Sequence, residues 1–201
     1  MKERGIIFNS EMVRAILDDR KTQTRRIMKP QPKTNENGDI WWPSNICQSM
    51  INIKEMMQDN EGVWAGIAGI SCPHGGVGDH LWVRETFKAG VCTESTIAYK
   101  ATHKPSDLEE GWYKEIKWTP SIHMPRWASR ITLEIVDVRV ERLKDAGDTE
   151  FKAEGYPLDR ELTGGSMDPF CWFRNLWDSV SPTNFKYADN PWVWVIEFKR
   201  I

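Results

Sequence analysis

The chain has 201 residues, a formal net charge of −2 and 40% hydrophobic residues, enough apolar material for the core of one domain. That charge excludes a protein held on nucleic acid by bulk electrostatics, so any such binding falls to a local patch. No apolar run reaches the ~18 residues of a membrane span and none resembles a signal peptide, so a cytoplasmic protein with no membrane partner is expected.

Gly5-Ile6-Ile7-Phe8 reads as a short strand. Asn9 or Ser10 then caps a helix, since a short side-chain oxygen satisfies free backbone N–H groups. Met12, Val13, Ile16 and Leu17 recur at helical spacing and give that helix one buried face. It stops near Asp19, where the run RKTQTRR (residues 20–26) enters an extended segment closed by Lys29-Pro30. Residues 31–78 have weak periodicity and read as an insertion in the core fold. A strand follows the Gly78-Asp79 turn over residues 81–87, and another covers 96–102. Residues 103–128, with Pro105, Pro120 and Pro125, read as loop.

From 130 to 143 apolar residues occupy odd positions (Ile131, Leu133, Ile135) and then even ones (Val136, Val138, Val140). A flat strand cannot keep one buried face through that change of phase; a bulge near Ile135-Val136 can, and bulges turn corners in small barrels. Residues 148–154 form a short helix ended by Gly155. Asp168-Pro169 opens a longer helix with Phe170, Phe173, Leu176, Trp177 and Val180 on one face. The chain closes on a strand whose Trp192, Trp194, Ile196 and Phe198 share a side. Strands dominate, which predicts a single α+β domain over 1–201, a small curved barrel with flanking helices.

The four cysteines, Cys47, Cys72, Cys92 and Cys171, form no CxxC pair and read as free thiols. Cys72-Pro73-His74 lacks the further ligands zinc requires, so no metal and no cofactor is expected. Eleven tryptophans serve both core packing and base stacking.

RKTQTRR places Lys21 and Thr24 at a helix-to-strand junction, where an irregular backbone brings ammonium and hydroxyl together. A threonine hydroxyl attacks only when a neighbour takes its proton, and a lysine does so when burial or nearby cations lower its pKa. Arg20, Arg25 and Arg26 supply such cations and suit an anionic ligand; a solvated basic turn is the plainer alternative. Glu154 sits in the last turn of a helix, against the dipole, as an acid with another task would. Arg84 and Glu85 point to opposite sides of one strand, so one of them faces the core or a cleft and needs a partner. His123, Arg126 and Trp127 lie in a loop able to flank a base-binding cleft or simply to pack.

Together "ILDDRKTQTRR", "GDHLWVRETF", "IHMPRWASRITLEIVDVRVERL", "AEG" and "NPWVWVIEFKRI" resemble the ASCH superfamily, in particular its longer bacteriophage and prophage members. The resemblance implies a PUA-like β-barrel and a cleft for a modified nucleoside, a nucleotide or single-stranded RNA in a bacterial host cell. The smallest bacterial members are amidohydrolases that remove the acetyl group from acetylcytidine, with lysine as proton acceptor, threonine as nucleophile and glutamate as proton donor. By that pattern Lys21, Thr24 and Glu154 are the catalytic set, and Arg20, Arg25, Arg26, Arg84, Glu85, His123, Arg126 and Trp127 are candidates for binding the ligand. Asp19 stands where those enzymes have glycine before Arg20. Three readings follow: a hydrolase of an acylated cytidine-like base, a non-catalytic RNA or nucleotide module, and a phage accessory protein that binds a host protein.

Overall fold

The computed structural model describes residues 1–57, 66–90, 96–104 and 116–201; Cys92, Pro105 and residues 58–65 of the 31–78 stretch lie outside them. Strand β1 (Glu3–Ile7) leads into helix α1 (Ser10–Leu17). Asn9 is the cap: its Oδ1 accepts from the Met12 N–H at 2.8 Å. α1 buries Val13, Ala15 and Ile16. Asp19 then takes a left-handed backbone, φ 55°, a conformation aspartate tolerates better than most residues. The turn tightens so that Arg20 and Lys21 both donate their N–H to the Ala15 carbonyl, at 2.9 and 3.0 Å. Strand β2 (Gln23–Ile27) begins immediately after.

Next come β3 (Lys33–Thr34), β4 (Ile40–Ser44) and β5 (Ser49–Asn52), which form their own antiparallel sheet, followed by α2 (Ile53–Met57) and α3 (Ile67–Ser71). This stretch, weakly patterned in sequence, buries Trp42, Ile51, Ile53, Met56, Ala68 and Cys72 in the main core cluster. Strand β6 (His80–Arg84) ends at Arg84, short of the expected 87. β7 (Phe87–Ala89) and β8 (Ile97–Tyr99) pair separately. Two 3-10 turns, Ser121–His123 and Arg126–Ala128, precede β9 (Thr132–Arg142). Helices α4 (Asp148–Ala153), α5 (Leu158–Thr163) and α6 (Asp168–Val180) then lead to β10 (Trp192–Arg200). Among the described residues, no helix is long and apolar enough to cross a membrane.

The main sheet runs in the order β1-β6-β9-β10-β2, with β1 parallel to β6 and the other pairs antiparallel. β10 lies inside it, between β9 and edge strand β2, and is covered on both faces. Trp192, Trp194, Ile196 and Phe198 face the main core, while Val193 and Val195 meet Phe173 and Trp177 of α6. On β9 the register jumps from Asp137 to Ile135 opposite Glu197 and Phe198, leaving Val136 as the unpaired bulge residue. The closed barrel expected from the sequence is, among the described residues, an open five-stranded sheet: no ladder joins edge strand β1 to edge strand β2. A side chain spans the gap instead, with Arg26 of β2 donating to the Ile7 carbonyl of β1 at 2.8 Å.

Gly155 follows α4 with φ 103°, and a Cβ there would lie 2.8 Å from Ala15 Cβ and 3.2 Å from Lys21 Cβ. Gly155→Ala combines a left-handed penalty with overpacking and is expected to cost on the order of 3 kcal/mol, measured as a shift in the urea unfolding midpoint at unchanged slope.

Candidate functional site

Lys21 and Glu154 form a two-residue antiparallel bridge, reinforced by the Thr22 N–H donating to Ala153 O at 2.9 Å. This short pairing ties the start of β2 to the C-cap of α4. It also buries the Lys21 side chain completely. Its ammonium donates to Glu154 Oε2 at 2.6 Å, to the Gln23 carbonyl at 2.8 Å and to the Glu154 carbonyl at 2.9 Å. All three ammonium protons are therefore committed. Burial pushes the Lys21 pKa below its ordinary value; Glu154 opposes that shift, and Arg26 and Arg25 add to it.

The other oxygen of Glu154, Oε1, accepts from Arg25 Nη1 at 3.4 Å. Arg25 is equally buried, lies over the Phe173 ring of α6 at 5.8 Å, and reaches Glu141 Oε2 on β9 at 3.2 Å. Glu141 Oε1 in turn accepts from Arg139 Nε at 2.6 Å. Arg139 also contacts Asp137 at 3.1 Å, Glu197 at 2.5 Å and Gln23 Oε1 at 3.2 Å. Those carboxylates hold its guanidinium pKa above the usual range against the effect of burial. Charges thus alternate from a buried ammonium to the half-buried outer face of the sheet, each cation against a carboxylate, as burial requires.

Thr24 and Arg26 lie on the opposite face of β2 from Arg25, toward the main core, paired with Ile196 and Trp194 of β10. Thr24 is buried but is not among the three acceptors of the Lys21 ammonium. Arg26 has no carboxylate partner among the described residues. Its guanidinium lies 5.2 Å from the Phe8 ring centroid, and the Lys21 ammonium lies 5.7 Å from the same ring. Among the described residues, buried Nε of Arg26 and Nε1 of Trp194 make no hydrogen bond, so donors are left unspent on this side. Burial, only partly offset by Glu154, lowers the Arg26 pKa. His74 stands close enough to feel Arg26 and Arg4, and burial with those two cations pushes it down to about 4.

The remaining sequence candidates are held elsewhere. Arg20 turns outward to the Gly155 and Tyr156 carbonyls, at 3.0 and 3.2 Å, and to Asp18 at 2.9 Å. There it borders a cavity of about 520 Å³ with Arg14, Arg160, Trp172 and Leu176. Glu85 is the member of its pair that faces inward, and Arg130 clamps it through two bonds of 2.9 and 3.0 Å. Arg84 donates to the Ile122 carbonyl and lies over Trp82. Arg126 pairs with Glu3 at 3.0 Å, His123 is exposed, and Trp127 is 70% exposed on the second 3-10 turn. Of the eight candidates for ligand binding, only Arg25 and Arg26 share direct contacts with Lys21, Glu154 or the Phe8 ring under Lys21. Sequence reasoning missed Arg139, Glu141 and Phe8, and weighed His74 only as a zinc ligand. The first two carried a signal, because Asp137, Arg139 and Glu141 alternate with Val138 and Val140.

No family model matches the chain, and no curated protein matches it. Among solved structures, the ASCH domain from Lactobacillus crispatus JV V101 aligns with 99% of this chain and 79% of its own, at 9% identity and a TM-score of 0.38. At that identity the likeness assigns no residue a role.

Lys21→Met leaves Glu154 buried against Arg25 alone and is expected to cost about 3–5 kcal/mol by denaturant titration. His74 gives a pH test. Its folded pKa of about 4 lies below the ordinary 6.5, so the unfolded chain binds more protons between these values. Stability is therefore full above pH 6.5 and is lost as pH falls towards 4; His74→Gln flattens that slope in melting temperatures recorded across the window.

Proposed function

We propose that the protein is a hydrolase acting on the amide bond of an N-acylated, cytidine-like nucleoside, in the cleft of an ASCH-type, PUA-like domain. The observation that carries this reading is the buried 2.6 Å contact between Lys21 Nζ and Glu154 Oε2, three residues from Thr24 and beside Arg26, a cation with no carboxylate partner among the described residues. At rest the pair is ammonium and carboxylate. One proton moved along that short bond yields an amine and a carboxylic acid together, the base and the acid that amide cleavage needs. Burial of Lys21 favours the transfer by disfavouring its charged form.

Rotation about Cε–Nζ turns the amine lone pair from Glu154 to the Thr24 hydroxyl. The threonine oxygen bonds to the acyl carbon as its proton passes to Lys21, and the oxyanion lies toward Arg26, whose Nε has no partner among the described residues. The C–N bond then breaks and Glu154 protonates the departing amine, which restores the ion pair. Water opens the Thr24 ester in the same way: Lys21 takes its proton, Glu154 protonates the Thr24 oxygen, and a carboxylic acid leaves. No cofactor or metal enters any step.

Acetylcytidine and related N-acyl nucleosides are the substrates to offer. Product release is expected from wild type and Thr24→Ser, with a fall of about 100-fold or more in Thr24→Val and Glu154→Gln. Equal, slow release from wild type and Lys21→Ala sinks the reading.

Arg26, with no carboxylate partner among the described residues, also favours a second reading, a nucleotide or single-stranded RNA site without chemistry. In that case affinity for single-stranded RNA falls steeply with added salt while no acyl group is released; a flat titration at low salt excludes it.

A further inference from the structure

The Lys21–Glu154 bond has two ends, and only one of them belongs to the amide chemistry described above. Glu154 Oε2 faces Lys21, while Oε1 faces Arg25 at 3.4 Å. A guanidinium on that oxygen stabilises the carboxylate and so resists protonation of Glu154. Arg25 is itself divided, because its Nη2 lies 3.2 Å from Glu141, nearer than its Nη1 lies to Glu154. Glu141 is in turn shared with Arg139, at 2.6 Å. The charge that Arg25 presents to Glu154 therefore depends on how strongly Glu141 holds it, and that depends on Arg139.

We infer that Arg25, with Glu141 and Arg139 behind it, is a positioning group that sets which of Lys21 and Glu154 carries their shared proton. Every element packed on the pair bears on that balance. Phe8, just after β1, contributes its ring, α1 the small Ala15, β2 Arg25 and Arg26, and α6 Phe173 beneath Arg25. β9 contributes Asp137, Arg139 and Glu141, and β10 contributes Glu197. Arg26 and the β9–β10 group reach the half-buried surface, and of these the β9–β10 group stands clear of the pair. It is therefore the part that can be changed without opening a hole beside the pair.

The two outer members make predictions of opposite sign. Glu141→Gln frees Arg25 to act on Glu154 and leaves more uncompensated positive charge beside Lys21, so the Lys21 midpoint falls. The same guanidinium, on Glu154 Oε1, holds that group as the carboxylate partner of Lys21. Arg139→Gln releases Glu141 to hold Arg25 more tightly and moves the Lys21 midpoint upward. For the rate this inference rests on the hydrolase reading; for the proton it does not.

The experiment is an NMR titration of the full chain labelled with 13C at lysine Cε, with Lys21 assigned by its loss in Lys21→Arg. Glu141→Gln is expected to lower the Lys21 midpoint by roughly half to one pH unit, and Arg139→Gln to raise it by a similar amount. Glu141→Asp, which keeps the charge, returns it towards wild type. On an N-acyl nucleoside, Glu141→Gln lowers kcat several-fold with KM unchanged. If the midpoint stays put in both outer variants while their melting curves show folded protein, the inference is overturned whatever the activity. If the midpoints move in opposite directions but wild type releases no product, the positioning role stands and the hydrolase reading falls.

Discussion

The contact between the Lys21 ammonium and the Glu154 carboxylate is the point on which the surrounding architecture turns. A fully desolvated ion pair is tolerated only when both charges are surrounded by partners, and here the partners come from the backbone as much as from side chains. The Gln23 and Glu154 carbonyls accept from the ammonium, so the geometry of two chain segments is fixed by one nitrogen. Those segments are brought there by two left-handed residues, Asp19 and Gly155, one on each side of the bridge. The aspartate does with some strain what glycine does freely. Arg200 adds a surface contact to its carboxylate at 3.1 Å, which contributes little on its own.

A second consequence concerns how strand β2 divides its labour. Because side chains alternate, its consecutive arginines serve different faces. Arg25 enters the ion-pair row beneath α6, and Arg26 lies in the main core side with Thr24, spanning the gap between the sheet edges. A run that looks like one patch of positive charge is therefore two separate functions read through a period of two. That explains why the cluster coexists with a chain of net charge −2. Its cations are mostly turned inward and compensated locally.

Much of this was legible in the sequence because the relevant signals are local. The Asn9 cap, the stop near Asp19, the change of phase at Ile135-Val136 and the shared side of Trp192, Trp194, Ile196 and Phe198 each follow from neighbours a few residues apart. The partners of charged side chains were not legible. Glu85 finds Arg130, and Arg25 finds Glu141, across 45 and 116 positions, and nothing in either neighbourhood announces the other. Helix α5 escaped notice for a different reason. It has no buried residue, so it lacks the apolar stripe by which a helix shows itself. Strands β3, β4 and β5 inside 31–78 were blurred by their shortness, β3 having only two residues. The open edge between β1 and β2 is a property of sheet closure, which periodicity does not encode.

The single unpaired residue Val136 has a reach that its exposed position conceals. Upstream of it, Leu133 and Ile135 face the core; downstream, Val138 and Val140 do, while Asp137, Arg139 and Glu141 point the other way. Were the strand regular, those three charged residues would inherit the core-facing side and the two valines would be displaced from it. Held out of the ladder, the extra residue lets the strand keep one hydrophobic and one charged face on both sides of the bulge. Deleting Val136 would set Asp137 directly after Ile135 and leave that alternation intact, so what the residue adds is the local bend and extra twist of a bulge. Exchanging the exposed Val136 for threonine keeps both.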